Sequence, residues 1–214
     1  MNEGQIAIVV SRDRVKMLRR WLDVKDYVSR VKVIDLAKEN AETVAMEDYE
    51  LTLVCIQSFG DYLKGLCIQK KFAKNRTVFI ICSDIFTRSF LGHFLNRSRI
   101  ECQRGEFNDV IDGILDMVTQ TNLTELDSDD FIVVCDSEGI SCNYYIGEKE
   151  EVVQRVCSDR AHHKQYRLLN IIGDVGLQDV MDICSAMEET DDVIFGSGYV
   201  EGESVKVFVI WQDE

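Results

Sequence analysis

Residues 51–82 read LTLVCIQSFGDYLKGLCIQKKFAKNRTVFIIC, and this stretch decides the fold class. Leu51–Ile56 (LTLVCI) and Thr77–Cys82 (TVFIIC) are short, continuous apolar runs. Such runs fit strands covered on both faces. Between them, Tyr62–Ala73 predicts a helix with Leu63, Leu66, Cys67 and Phe72 turned inward. Two buried strands joined through a helix make a parallel pair, because the chain must cross back before the second strand starts.

The same alternation fills the first half. Ile6–Val10 (IAIVV) and Val31–Leu36 (VKVIDL) read as further strands. Val15–Val28 reads as a basic helix with Leu18, Trp21, Leu22 and Val28 near helical spacing, and another helix is expected near Ile85–Leu95. This predicts a parallel sheet with helices on both faces. Phe107–Gln120 follows as an amphipathic helix, with Val110, Ile111, Ile114, Leu115 and Val118 on one side and Gly113 inside it. The polar run Thr121–Asp130 (TNLTELDSDD) is the candidate domain boundary. Beyond it the rhythm is α+β. Phe131–Cys135, Asn143–Ile146 and Leu168–Ile172 read as strands; Glu148–Ser158 and Leu177–Met187 read as helices. Val193–Phe195 and Val205–Trp211 read as two strands joined by a turn around Gly202. The expected fold class is therefore α/β plus α+β.

With 214 residues, 46% of them apolar, the chain can build a real core. Its formal net charge of −14 argues against nucleic acid or an anionic membrane surface as the main partner. That total hides a division. Residues 1–106 carry 18 Lys+Arg against 14 Asp+Glu, whereas residues 107–214 carry 6 against 24. The halves are thus +4 and −18. There is no proline, so turns fall to Gly, Asn, Asp and Ser. The opening MNEGQIAIVV lacks a basic segment ahead of a long apolar one, and no stretch approaches roughly 18 apolar residues. A cytoplasmic protein with no membrane insertion is expected. Three of the eight cysteines, Cys55, Cys82 and Cys135, lie inside apolar runs, and no C-x-x-C pair occurs. Reduced, structural thiols and no metal site follow. The adjacent His162 and His163 read as a surface loop, and His93 as a helix-surface residue.

Chemistry has few candidates. A phosphate-binding α/β domain turns from strand to helix through glycines, whose bare backbone lets amides approach the ligand. Here the turn after the first strand is Ser11-Arg12-Asp13-Arg14, and the turn after the third is Gln57-Ser58-Phe59-Gly60-Asp61. Neither G-x-G-x-x-G nor G-x-x-x-x-G-K-[ST] is present. Asp127, Asp129 and Asp130 form a carboxylate cluster that suits Mg²⁺ or Ca²⁺, or equally a solvated loop or a cap on the element that follows. A small ligand at the strand ends would meet Ser11, Gln57, Ser58 and Ser83.

The order of elements resembles the FtsZ/tubulin superfamily, most closely in the second half. Arg167–Gly173 (RLLNIIG), Asp192–Gly196 (DVIFG) and Val205–Ile210 (VKVFVI) are similar to the FtsZ segments LVNITGG, IIFG and VRVTVIA. Thr77–Phe86 (TVFIICSDIF) is similar to TVAVVTKPF with the Lys-Pro replaced. The resemblance implies a shortened, Rossmann-like N-terminal domain over residues 1–106, a central connecting helix over 107–122 and a C-terminal α+β domain over 123–214. It also implies roles. Asn108 and Asp109 match the helix start that contacts the guanine base. Asp127 and Asp130 match the loop carboxylates that activate hydrolysis of a neighbour's nucleotide. Ser11, Ser58 and Gly60 stand where the phosphate loops belong. The family signature G-G-G-T-G-[TS]-G is missing after the third strand. The expectation is therefore a degenerate relative with no cofactor and no enzymatic activity, acting through head-to-tail association with itself or with a cytoskeletal or cell-division protein. The alternatives are a polymerising GTPase that binds GTP and Mg²⁺ by unorthodox loops, or a two-domain cytoplasmic protein, a chance pairing of a receiver-like and a ferredoxin-like domain, that binds another small ligand at the sheet edge.

Overall fold

A computed structural model describes residues 6–24, 29–37, 49–68, 76–82, 98–103, 106–119, 126–136, 140–158, 164–186, 193–200, 202 and 204–213. The chain divides into two units, Met1–Arg104 and Gly105–Glu214.

In the first unit β1 (Ile6–Val10), β2 (Val31–Asp35), β3 (Leu51–Ile56), β4 (Thr77–Cys82) and β5 (Ser98–Cys102) lie in the order β2-β1-β3-β4-β5, all parallel. Every residue of β1, β3 and β4 is buried. With side chains alternating across a strand, that burial covers both faces of the sheet. One face gathers Ala7, Val9, Val54, Ile56, Phe79 and Ile81 against Tyr49 and Tyr62. Each fully buried Ile, Val or Phe contributes about 1.5–3 kcal/mol. Helix α1 (Arg12–Val24) buries Leu18 and Leu22 and packs on β2, with Arg19 donating to the Val33 carbonyl at 3.1 Å. Helix α2 (Phe59–Ile68) packs on β3.

The second unit opens with α3 (Phe107–Thr119) and α4 (Ser128–Cys135). They precede β6 (Ile140–Gly147), α5 (Lys149–Ser158), β7 (Lys164–Gly173), α6 (Leu177–Ala186), β8 (Ile194–Tyr199) and β9 (Val205–Asp213). Strand order here is β6-β9-β7-β8, with β9 antiparallel to both neighbours and β8 parallel to β7. One core joins Val152, Val156 and Ile183 of the helices to Leu169, Ile171, Val207 and Val209 of the sheet. On α3, Gly113 faces the Phe208 ring of β9 so closely that a Cβ there would lie 2.5 Å from Phe208 Cδ2. The fold class read from the sequence holds.

The structure corrects or extends the sequence reading at several elements. Phe131–Cys135 is helical, not a strand. Its start is fixed by Asp127, whose Oδ1 accepts from the Asp129 and Asp130 amides at 2.9 Å each, and Ser128, Phe131, Ile132 and Cys135 then share a buried face at helical spacing. β5 (SRIEC) went unread because Arg99 and Glu101 interrupt its apolar pattern; the two pair at 4.0 Å. β8 and β9 do not pair with each other, since β7 lies between them. The link crosses the end of β7, where the Gly173 carbonyl accepts from Val175 and Val200, and the Gly202 amide donates to Asp174. Gly173 sits at φ +132, with Ser204 O 2.7 Å from where a Cβ would stand, so only glycine fits that crossing. Finally, α1 and α2 each begin three residues earlier than their periodicity suggests, at Arg12 and Phe59. The expected helix near residues 85–95, with His93, and also Ser83, His162 and His163, lie outside the described residues.

Candidate functional site

In a parallel sheet the carboxyl ends of the strands form the natural ligand crevice. Registers Val10↔Asp35 and Val9↔Val54 bring the ends of β2, β1 and β3 to one level. Asp35, Ser11 and the Gln57–Asp61 turn therefore share one edge of the sheet, and here the structure places Ser11, Ser58 and Gly60 together.

Each turn is short and closed by its own side chains. Ser11 alone joins β1 to α1, and its carbonyl accepts from the Arg14 amide at 2.9 Å. A hydrogen bond from the Ser11 side chain, reinforced by the backbone, holds the Asp13 carboxyl below its usual value. At the second turn, Ser58 Oγ accepts from the Asp61 amide at 3.1 Å, and Asp61 Oδ2 accepts from the Gln57 amide at 3.3 Å. The Tyr62 amide bonds to the Ser58 carbonyl at 2.9 Å. This exchange is close to a capping box, shifted by one residue at its acidic arm. Gln57 and Asp61 are both buried. Asp35 is buried too, bonded to the Ala37 amide at 2.9 Å and facing Arg12 Nε at 4.0 Å. The edge thus carries two buried carboxylates.

Gly60 sits in the first turn of α2 without a positive φ, and a Cβ there would meet nothing closer than Ser58 Oγ at 3.7 Å. Its lack of a side chain serves no close approach. Gly60→Ala should therefore raise stability by about 0.5–1 kcal/mol, as alanine does in an open helical position. Urea unfolding checks this; in a turn that needs bare backbone the same change would destabilise.

The remaining candidates stand in the second unit. Asn108 and Asp109 are both exposed on the first turn of α3. Asp127 and Asp130 form a complete capping box on α4, with the Asp127 amide donating back to Asp130 Oδ2 at 3.4 Å. The spacing D-x-x-D ahead of an apolar run is the sequence signal for this cap. Among the described residues, no group of three or more His, Cys, Asp or Glu side chains is placed to hold a metal ion. The buried thiols are poor nucleophiles: burial pushes Cys55, Cys135 and Cys142 well above the usual thiol range. Among the described residues, no helix is long and apolar enough to cross a membrane.

Two residues invisible to sequence reasoning anchor the second unit. Asp116 of α3 is buried, with Lys206 Nζ at 3.3 Å and the Tyr144 hydroxyl donating to it at 3.1 Å. No periodicity argument pairs positions so far apart in the chain.

No family model matches the sequence, and neither does any curated protein. Solved structures do. The chain is similar to CetZ from Methanosaeta thermophila at 14% identity and a TM-score of 0.63, over 98% of this chain and 86% of that one. It also aligns with TubZ from Bacillus thuringiensis serovar israelensis, solved as GDP-form protofilaments, at 7% identity and a TM-score of 0.47, over 95% of this chain and 72% of that one. A parallel first sheet, a long helix opening the second unit and a mixed second sheet, matched along nearly the whole chain, give this protein the FtsZ/tubulin-like fold.

Proposed function

We propose that this chain is a degenerate FtsZ/tubulin-like scaffold that does not hold GTP and acts by association, with itself or with a cytoskeletal or cell-division partner. The observation that carries the reading is Asp61. Its buried carboxylate takes the Gln57 amide at the strand-to-helix turn where a triphosphate would need free backbone donors. Asp35 adds a second buried carboxylate on the same edge, with the exposed Arg12 side chain facing it at 4.0 Å. Negative charge at the edge repels phosphate. These residues do not fit a nucleoside triphosphate.

The hydrolytic reading asks Asp127 and Asp130 to reach a neighbour's nucleotide. Asp127 accepts from the Asp129 and Asp130 amides at 2.9 Å each and Asp130 accepts from the Asp127 amide at 3.4 Å, so both have work within their own chain, and loss of the cap would cost about 1 kcal/mol. The charge division supports association: a +4 half and a −18 half favour a heterologous contact between copies, or a charged partner on either side.

Thermal-shift and calorimetric titration with GTP and GDP in the presence of Mg²⁺ decide the matter. No shift and no heat are expected at millimolar nucleotide. A ligand at a hundred times its Kd would add about 2.7 kcal/mol of stability. A shift of several degrees would therefore sink the proposal and revive the GTPase.

A further inference from the structure

The second unit exposes an apolar stripe that its own fold leaves uncovered. Leu177 is 79% exposed and Met181 53%, one turn apart on α6. The Lys149–Asp179 ion pair, 3.1 Å long, brings the start of α5 beside the start of α6. The exposed Glu148, Glu150, Asp174 and Asp182 lie on these two helices or just ahead of them. An apolar centre inside a charged rim is the layout of a protein-binding surface.

The first unit carries the complement. Helix α1 exposes Lys16, Met17 and Arg20, which share a face at i, i+1 and i+4, and Met17 is 44% exposed. Neither Lys16 nor Arg20 forms an ion pair among the described residues.

We propose that the α6 stripe docks the exposed face of α1 of a second copy. Met17 would enter between Leu177 and Met181, an adaptable thioether side chain against two apolar ones. Lys16 and Arg20 would meet the acidic rim. Charge selects this occupant. Pairing α6 with α6 across a twofold sets one −18 half against another, whereas pairing α6 with α1 joins opposite signs. Each copy carries both faces, so the contact is heterologous. It runs along the flank of α1 rather than at the strand ends. The inference rests on the association reading and specifies its surfaces.

Analytical ultracentrifugation of the full chain over a concentration series, at low and high salt, tests it. Wild type should associate, less so in high salt. Leu177→Asp and Arg20→Glu, both at exposed positions, should each weaken association by about tenfold or more. Combining Arg20→Glu with Asp182→Lys should recover much of the loss, because the swap restores opposite charges; circular dichroism confirms that each variant is folded. Association unchanged by Leu177→Asp and by Arg20→Glu overturns these surfaces and leaves the association reading standing. A wild-type chain that stays monomeric at every concentration overturns the second copy as partner; the nucleotide titration then judges the degenerate scaffold separately.

Discussion

Replacing Gly113 with alanine lowers the stability of the second unit by about 1–2 kcal/mol, and this is among the largest effects expected of any single methyl in the chain. The new Cβ would stand 2.5 Å from Phe208 Cδ2 and 2.9 Å from Cγ. Phe208 is 1% exposed and packs edge-on to Tyr144 at 6.4 Å, so its ring has nowhere to retreat. α3 must lift from the sheet instead. Overpacking of this kind typically costs about 1–3 kcal/mol, occasionally more. The better helix propensity of alanine returns up to about 1 kcal/mol, so the overlap sets the sign only if the sheet does not yield. Urea unfolding of Gly113→Ala measures the net. Phe208→Leu in the same background should restore part of the loss, because it removes the ring the methyl strikes, and a double-mutant cycle isolates that coupling. Unchanged stability in Gly113→Ala would mean that α3 does not rest on Phe208.

Asp116→Ala should cost more, about 3–5 kcal/mol. Lys206 is 16% exposed at its side chain and Asp116 only 3%. Removing the carboxylate takes from a nearly buried ammonium and from the Tyr144 hydroxyl the group that both contact. Breaking one partner of a buried pair is expensive because the other charge stays behind, not because the pair itself contributes so much. Asp116→Leu combined with Lys206→Met should therefore regain most of the stability that Asp116→Ala loses. Chemical denaturation of the single and double variants checks this, and a double variant as unstable as the single one would refute the account.

How much of this was legible beforehand depends on which signal each element carries. β1, β3 and β4 announce themselves because strands buried on both faces must be apolar at every position. β5 is also buried, yet it carries Arg99 and Glu101, whose pairing is a tertiary fact. FIVVC reads as a strand by composition, since β-branched residues favour strands. It folds as a helix because a four-residue cap ahead of it overrides that preference. The cap was visible as D-x-x-D, and likewise Ser58-x-x-Asp61 at the head of α2. The missing glycine loops were plain from sequence alone. The buried carboxylate at the turn was not, because burial of Asp61 depends on strands and helices far apart in the chain. The Asp116–Lys206 pair and the Gly113–Phe208 contact join positions about 90 residues apart and leave no local trace.

The strand order β6-β9-β7-β8 sets a timetable for synthesis. Domains tend to fold as units, N-terminal first, and every strand of the first sheet is made before α3 begins. The second sheet has no such course. β6 and β7 leave the ribosome separated by the place of a strand not yet translated, and both keep open edges until residues 205–213 arrive to join them. Nascent chains on neighbouring ribosomes could pair through those edges. Residues 107–204, made before β9, carry 22 Asp+Glu against 5 Lys+Arg, and that like charge opposes pairing of half-built sheets until β9 closes the gap.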